Sequence, residues 1–351
     1  MSQGKVAVAM SGGVDSSVAA WLVKEAGFDA TGVTLRLYEK SNEECPMCEA
    51  EDARKVATLM GMDHFTLDYR EAFNENVVCR FVNSYFNGKT PNPCIECNKY
   101  IKFGKLCEEA KKLGFTHVAT GHYAQIEYSE EKQRWLLKKG ANAEKDQSYV
   151  LYNLTQEQLA MTLLPLGGLS KPQVRAIAEA QGFVNAHKKD SQDICFVPDG
   201  DYSGFIKHFT GKMPEAGNFV DTSGKILGPH KGIINYTIGQ RKGLGLALCK
   251  PMYVKSKDPV TNEVVISEDA ELFSQELDAR DVNLIACDSF EGDIRLKARI
   301  RYKHKEQWAT VTMTGKTTAH VVFDEPVRAV AKGQSVVFYD GDYVFGGGII
   351  S

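Results

Sequence analysis

Residues 11–17 read Ser-Gly-Gly-Val-Asp-Ser-Ser, directly after the apolar run Val6–Met10 and directly before a helical pattern that starts at Ser16 and stops at Gly27. A strand that turns on two glycines into a helix aims the helix's first free N–H groups and positive dipole end at one spot. An anion belongs there, and a nucleotide phosphate fits best. Ser11, Ser16 and Ser17 add hydroxyl donors. A plain serine-capped helix start would account for Ser16 alone and not for the whole run. No Gly-Lys-Ser/Thr ending follows, so the loop is not a Walker A loop and a different cut of ATP is implied. Asp15 reads equally as a residue that positions magnesium and as an ordinary exposed acid in a helix's first turn.

The same strand, turn, helix rhythm continues, with β-rich runs at Thr31–Tyr38, Phe65–Tyr69 and His117–Tyr123 and helical stretches at Glu49–Met60 and Phe103–Leu113. That alternation predicts right-handed crossovers and a doubly wound α/β domain around a parallel sheet. His122, beside Gly121 at the carboxyl end of a predicted strand, is placed to touch the nucleotide rather than to sit in the interior. Residues 145–190 read as mostly helical, with Thr155, Ser170 and Lys171-Pro172 as start signals. At 351 residues the chain exceeds one ordinary core. Helical periodicity fades after about residue 210, and short alternating runs such as Ala309–Met313, Ala319–Phe323 and Ser335–Tyr339 follow. The expected division is therefore 1–208 for the ATP-binding domain, 209–278 for a small β-rich central domain and 279–351 for a β-barrel.

No run is apolar enough for a membrane span and no export signal opens the chain, so a cytoplasmic location without a membrane partner is expected. Nine cysteines, an odd number, then read as reduced thiols, some reactive or metal-binding. Cys94 and Cys97 stand in Thr90-Pro-Asn-Pro-Cys-Ile-Glu-Cys, just before a helix whose N-terminus should favour thiolate. Cys195 lies among polar residues, with Lys188 and Lys189 nearby to favour its thiolate too. Cys45 and Cys48 form a second Cys-x-x-Cys without an obvious matching pair, and read as surface thiols near the mouth of the site. Cys79, Cys107, Cys249 and Cys287 read as small core fillers.

A net charge of −3 means that a nucleic-acid partner must be held by a local basic patch. Arg295, Lys297, Arg299, Arg301, Lys303 and Lys305 alternate with Leu296, Ala298, Ile300 and Tyr302, so a strand there would carry six cations on one face. Six charges of one sign point to phosphate contacts, since a merely solvated face usually mixes signs. His230, Lys231, Arg241 and Lys242 add a second basic stretch.

Taken together, the Ser11–Ser17 loop, Thr90-Pro-Asn-Pro, Ala119-Thr-Gly-His-Tyr, Lys145-Asp-Gln-Ser-Tyr, Asp190–Phe196, Gly239-Gln-Arg-Lys-Gly-Leu-Gly and Gly346-Gly-Gly-Ile-Ile resemble the tRNA 2-thiouridylase family over nearly the whole chain. The resemblance implies a PP-loop, adenine nucleotide alpha hydrolase-like fold. It also implies ATP with Mg2+, adenylation of the C2 oxygen of the wobble uridine of tRNA, and its replacement by sulfur from a donor protein, a cysteine desulfurase or a sulfur carrier. Carried over, Ala9, Met10, Ser11, Gly12, Gly13, Val14, Asp15, Ser16, Leu35 and Gly121 would surround ATP. Cys195 would hold the persulfide and Cys97 would be its disulfide partner. Asn92, Pro93, Cys94, Lys145, Asp146, Gln147, Arg301 and Tyr302 would meet tRNA. Many members of that family carry an aspartate where this chain has Cys94, so an acid/base role cannot be transferred to it. Cys94, Cys97 and Cys195 match the thiol count of an open [4Fe-4S] site, and equally a disulfide pair with a bystander. Two other readings fit the loop: an amidotransferase-type ligase, which leaves the basic run unexplained, and a non-catalytic RNA-binding module, against which the cysteine pair argues.

Overall fold

The computed structural model describes residues 3–38, 46–189 and 193–351. Cys45 and the Asp190 start of the Asp190–Phe196 motif lie outside the described residues, and for Cys48 only the backbone is described. The first strands are β1 (Lys5–Ala9), β2 (Asp29–Arg36), β3 (His64–Asp68), β4 (His117–Ala119), β5 (Ala124–Ser129), β6 (Arg134–Lys139) and β7 (Thr162–Leu163). A parallel sheet of order β3-β2-β1-β4-β7 forms the centre of the nucleotide domain. Val6, Val8, Val33 and Val118 are fully buried, as a strand covered on both faces requires. Helices α1 (Val14–Glu25) and α2 (Pro46–Leu59) pack over this sheet. β1 has β2 on one side and β4 on the other, so the strand order reverses there. In an open α/β sheet that switch point is where a ligand crevice opens, beyond the carboxyl ends of the strands.

Three expectations change. The helix expected at Phe103–Leu113 begins ten residues earlier: Pro93–Cys97 is α-helical, Asn98–Lys105 is π-helical, and Leu106–Lys112 resumes the α pitch. Residues 145–190 are less helical than expected, because edge strand β7 and several turns separate short helices. The β5–β6 hairpin, for which no strand signal was read, leaves the parallel sheet and joins the C-terminal sheet through Lys138 and Tyr343.

The remaining strands are β8 (Gly217–Val220), β9 (Ile226–His230), β10 (Tyr253–Asp258), β11 (Glu263–Ser267), β12 (Phe273–Leu284), β13 (Asp293–Arg299), β14 (Gln307–Gly315), β15 (Thr318–Arg328), β16 (Ser335–Asp340) and β17 (Tyr343–Ile350). β8–β11 form a small sheet of order β10-β11-β8-β9. β12 pairs with both β15 and β17, which closes β12–β17 into a barrel. Leu296, Ala298, Val311, Val321 and Phe338 fill its interior. One apolar core joins all three regions: Phe81, Cys97 and Phe196 share it with Phe219, Val254, Ala329 and Ala331.

Candidate functional site

At the carboxyl end of β1 the chain turns through Gly12, whose φ of 75° is a conformation that glycine adopts without strain. Gly13 caps α1 and offers no side chain, so the first N–H groups of the helix have no side-chain acceptor. The loop closes on itself: Ser11 N donates to Ser16 Oγ at 3.1 Å, while Ser16 Oγ and Ser17 Oγ donate to Gly13 O at 3.0 and 3.1 Å. From the far side, Asn185 Nδ2 donates to Gly12 O and Ser17 Oγ at 3.0 and 2.9 Å. The result is a pre-shaped anion cradle at the switch point. Ala9, Met10 and Val14 hold its base, with Met10 N bonded to Val33 O at 2.9 Å.

Gly121 follows β4, and a Cβ there would lie 2.9 Å from Asp15 C and Ser16 N. Only glycine lets the end of β4 approach the first turn of α1 so closely. Asp15 is not a free carboxylate. Lys171 Nζ reaches its two oxygens at 2.7 and 2.9 Å, and Tyr123 Oη donates to it at 2.7 Å. The magnesium role weighed for Asp15 therefore does not fit the side chain as placed, since its oxygens already serve a lysine. Lys171, read in sequence only as a helix start, is 8% exposed and heads the helix Lys171–Ala180. His122 is an interior residue, contrary to the expectation. It pairs with Thr120 Oγ1 through Nδ1 at 2.8 Å, and burial holds its pKa well below the usual histidine range. Leu35 packs between two apolar clusters beside this crevice.

Three thiols stand close together, since Cys97 and Cys94 both bear on Cys195. Asn92 Oδ1 accepts from Cys94 N at 3.2 Å and caps the helix that Pro93 begins, which fixes Cys94 one residue inside it. Cys97, one turn on, is buried. Phe196 wedges edge-on against Phe73 and Phe81 at 5.7 and 5.4 Å and thereby anchors Cys195. Cys94 and Cys195 open to solvent, yet protein walls all three sulfurs on most sides and water solvates a thiolate poorly there. Burial pushes the Cys97 thiol up to about 11 and the Cys195 thiol up to about 12, where Cys97 and Cys94 push further; Cys94 also rises by burial. Thiolates favoured by the helix end and by Lys188 were the expectation, and burial overrides it. Lys188 turns away from Cys195, to Asp52 at 3.2 Å and towards Gly12 O. The cation that bears on all three thiols is Lys102, which sequence reasoning missed. It stands five residues after Cys97, and only an i→i+5 helical pattern stacks such residues on one face.

Among the described residues no three His, Cys, Asp or Glu side chains are gathered as a metal ion requires. The three thiols as placed do not fit an iron-sulfur cluster.

Of the residues expected against tRNA, Tyr302 stands near enough to Cys94 to feel its charge. Asp146 is buried, accepting from Gly140 N, Ser148 N and Ser148 Oγ at 2.9–3.1 Å. Gln147 Oε1 accepts from Tyr123 N at 2.9 Å. Lys145 is half-buried on the same turn. Tyr302 meets Tyr149 edge-on at 6.1 Å, and its hydroxyl pKa is raised by burial, then by Asp146 and Cys94. Arg301 Nη2 donates to Ala329 O. The loop before Cys94 is fastened to the barrel: Thr90 N donates to Lys332 O at 2.8 Å, and Gln334 Nε2 donates to Thr90 O at 3.0 Å.

The six-cation strand face is corrected. β13 ends at Arg299, so Arg301, Lys303 and Lys305 fall in a turn. Arg295 is paired with Asp324 at 2.6 Å and Arg299 with Glu306 at 2.8 Å. Lys297 has no acid within ion-pair distance among the described residues.

Residues 4–199 match the family profile described as the tRNA methyl transferase HUP domain, 203–268 the PRC-barrel domain of the same name, and 274–350 an aminomethyltransferase beta-barrel domain. The tRNA-specific 2-thiouridylase MnmA of Clostridioides difficile is 51% identical, over 99% of this chain and 98% of its own. The protein of that name from Acetivibrio thermocellus is 49% identical over 100% of both chains. A solved structure, a U34-tRNA thiolase of Methanococcus maripaludis, aligns over 60% of this chain and 66% of its own at 18% identity and a TM-score of 0.38, too loosely to bear on residues. No described helix is long and apolar enough to cross a membrane.

Proposed function

The chain belongs to the tRNA-specific 2-thiouridylase family, and from that premise we propose that it uses ATP to replace the C2 oxygen of a tRNA uridine with sulfur. The observation that carries this reading is the pairing of a pre-shaped anion cradle with a three-thiol crevice in one molecule. Neither part explains the other unless a phosphate-activated group meets a sulfur nucleophile.

ATP, with the Mg2+ that its phosphates bring, would sit on the N–H groups of Gly12–Ser16, with Gly121, Leu35 and Met10 around it. The uridine O2 attacks the α-phosphorus and pyrophosphate leaves, which turns a carbonyl oxygen that cannot depart into one that can. Cys195 carries the incoming sulfur as a persulfide, whose outer sulfur attacks C2 as AMP leaves with the oxygen. Cys97 then attacks the Cys195 sulfur. Its electron pair forms the Cys97–Cys195 disulfide, and the outer sulfur stays on C2 as the thione. Two thiols are oxidised as one zero-valent sulfur is reduced, so a thiol reductant must reset the pair. Asn92, Pro93, Cys94, Lys145, Gln147, Arg301 and Tyr302 line the approach for the base. The sulfur comes from a persulfide-bearing donor protein.

The test measures pyrophosphate release and 2-thiouridine in tRNA digests with bulk tRNA and a persulfide donor. Release that depends on tRNA, with thionucleoside formed in step, is the expected result. Release at full rate without tRNA would turn the reading to a metabolite ligase, and no release would leave an RNA-binding module.

A further inference from the structure

Aromatic rings of this size are seldom left open on a barrel, yet Trp308 on β14 is 50% exposed. It stands opposite Lys297 in the β13–β14 ladder, so both project from the outer face. Lys297 Nζ lies 5.5 Å from the centre of the indole ring, and Arg295 Cζ lies 5.7 Å from it. Arg295 is balanced by Asp324 and also touches Thr310 Oγ1, while Lys297 keeps its charge for a partner. On the other side of β13, Lys297 pairs with Tyr339, a buried ring that Arg299 and Lys139 also cover. Arg299 lies 3.6 Å from Asp146, whose charge bears on Tyr302. The face therefore starts at the rim of the thiol crevice and runs outward along β13, about 7 Å for each pair of residues.

The geometry points to the Lys297–Trp308–Arg295 face as an RNA-stacking platform, on which an unpaired tRNA base near the target uridine lies against the indole while Lys297 meets the adjoining phosphate. Charge and shape commit the occupant. A flat aromatic face suits any base, and a cation without an acid partner suits a phosphate, whereas an acidic protein surface would gain little from an open indole. This inference rests on the proposal that the substrate is tRNA, and it names a contact outside the reacting centre.

Two measurements separate the inference from that proposal. Filter binding of bulk tRNA reports the Kd, and tryptophan emission during the same titration reports the indole itself, with Trp21 and Trp135 as the other emitters. Wild-type emission should fall as tRNA binds, and Trp308→Phe should remove most of that fall. Trp308→Ala should weaken binding about fivefold to a hundredfold without moving the log-log salt slope. Lys297→Ala should flatten the slope by about 0.7 to 0.9. ATP binding should be unchanged in all three. Tight wild-type binding with an unmoved Trp308 signal and an unchanged Kd for Trp308→Ala would overturn the platform and leave the tRNA proposal standing. No tRNA binding by the wild type would overturn both.

Discussion

The nucleotide cradle and the thiol crevice are built in opposite ways. The cradle is mostly local: Ser11 to Ser17 bond among themselves around one glycine turn, with Asn185 as a distant clamp. The crevice is assembled from Cys94 and Cys97, from Cys195 about a hundred residues on, and from a barrel loop at Lys332–Gln334. A loop shaped mainly by its own bonds needs little more than the Asn185 clamp from elsewhere, whereas a crevice assembled from distant pieces has chemistry set by its surroundings. Hence the anion site follows from backbone grammar, and the thiols follow burial rather than their own sequence context.

The sharpest way to break this comparison is Cys195→Ser. Thiolation should fall on the order of a thousandfold or more, while ATP affinity by equilibrium dialysis stays at the wild-type value. Loss of ATP affinity would mean that the two parts are one site.

Next in size is Lys171→Met, which takes the ammonium away from the Asp15 carboxylate and leaves it the Tyr123 hydroxyl. A loss of about 1–3 kcal/mol in urea unfolding is expected, and Asp15→Asn in the same background should restore part of it by removing the uncompensated charge. Additive losses would show that the pair is not coupled.

Smaller, but specific to the crevice, is its pH response. With Cys97 at about 11 and Cys195 at about 12, iodoacetamide labelling should climb about tenfold per pH unit from 7 to 9 without levelling. Both thiols titrate higher in the folded than in the unfolded chain, where the usual value is near 9. Stability is therefore unaffected below about pH 9 and declines as pH rises towards 11 and 12. A plateau in labelling near pH 7 would place thiolate in the resting crevice.

The smallest effect is reserved for the joint between the regions. Gln334→Ala should slow thiolation about threefold to tenfold with ATP affinity unchanged, and amide exchange at Thr90 should quicken. Unaltered exchange would remove Gln334 from the support of that loop.

The parallel sheet, the phosphate turn and the barrel runs at Ala309–Met313 and Ser335–Tyr339 were legible because strand burial and glycine turns are written in neighbouring residues. Lys102 was not legible, since its place beside Cys97 depends on a π-helical segment that α periodicity hides. The hairpin β5–β6 escaped notice because its partner, β17, lies two hundred residues away. The six-cation face misled for a related reason: alternation fixes which side a residue faces, and says nothing of where the strand ends or which acids from β15 and the β13–β14 turn meet it.

The Thr90–Gln334 fastening spans 244 positions of the chain. At about 5–20 residues per second, a ribosome takes roughly 12–50 s to traverse that interval. Once residue 185 has been made, the chain holds Asn185, the distant clamp on the phosphate turn, while the cysteine loop still has no anchor. Translation thus acts as a timer: the capacity to hold ATP emerges early, the capacity to place sulfur emerges last, and a product truncated between the two would be a nucleotide binder without chemistry.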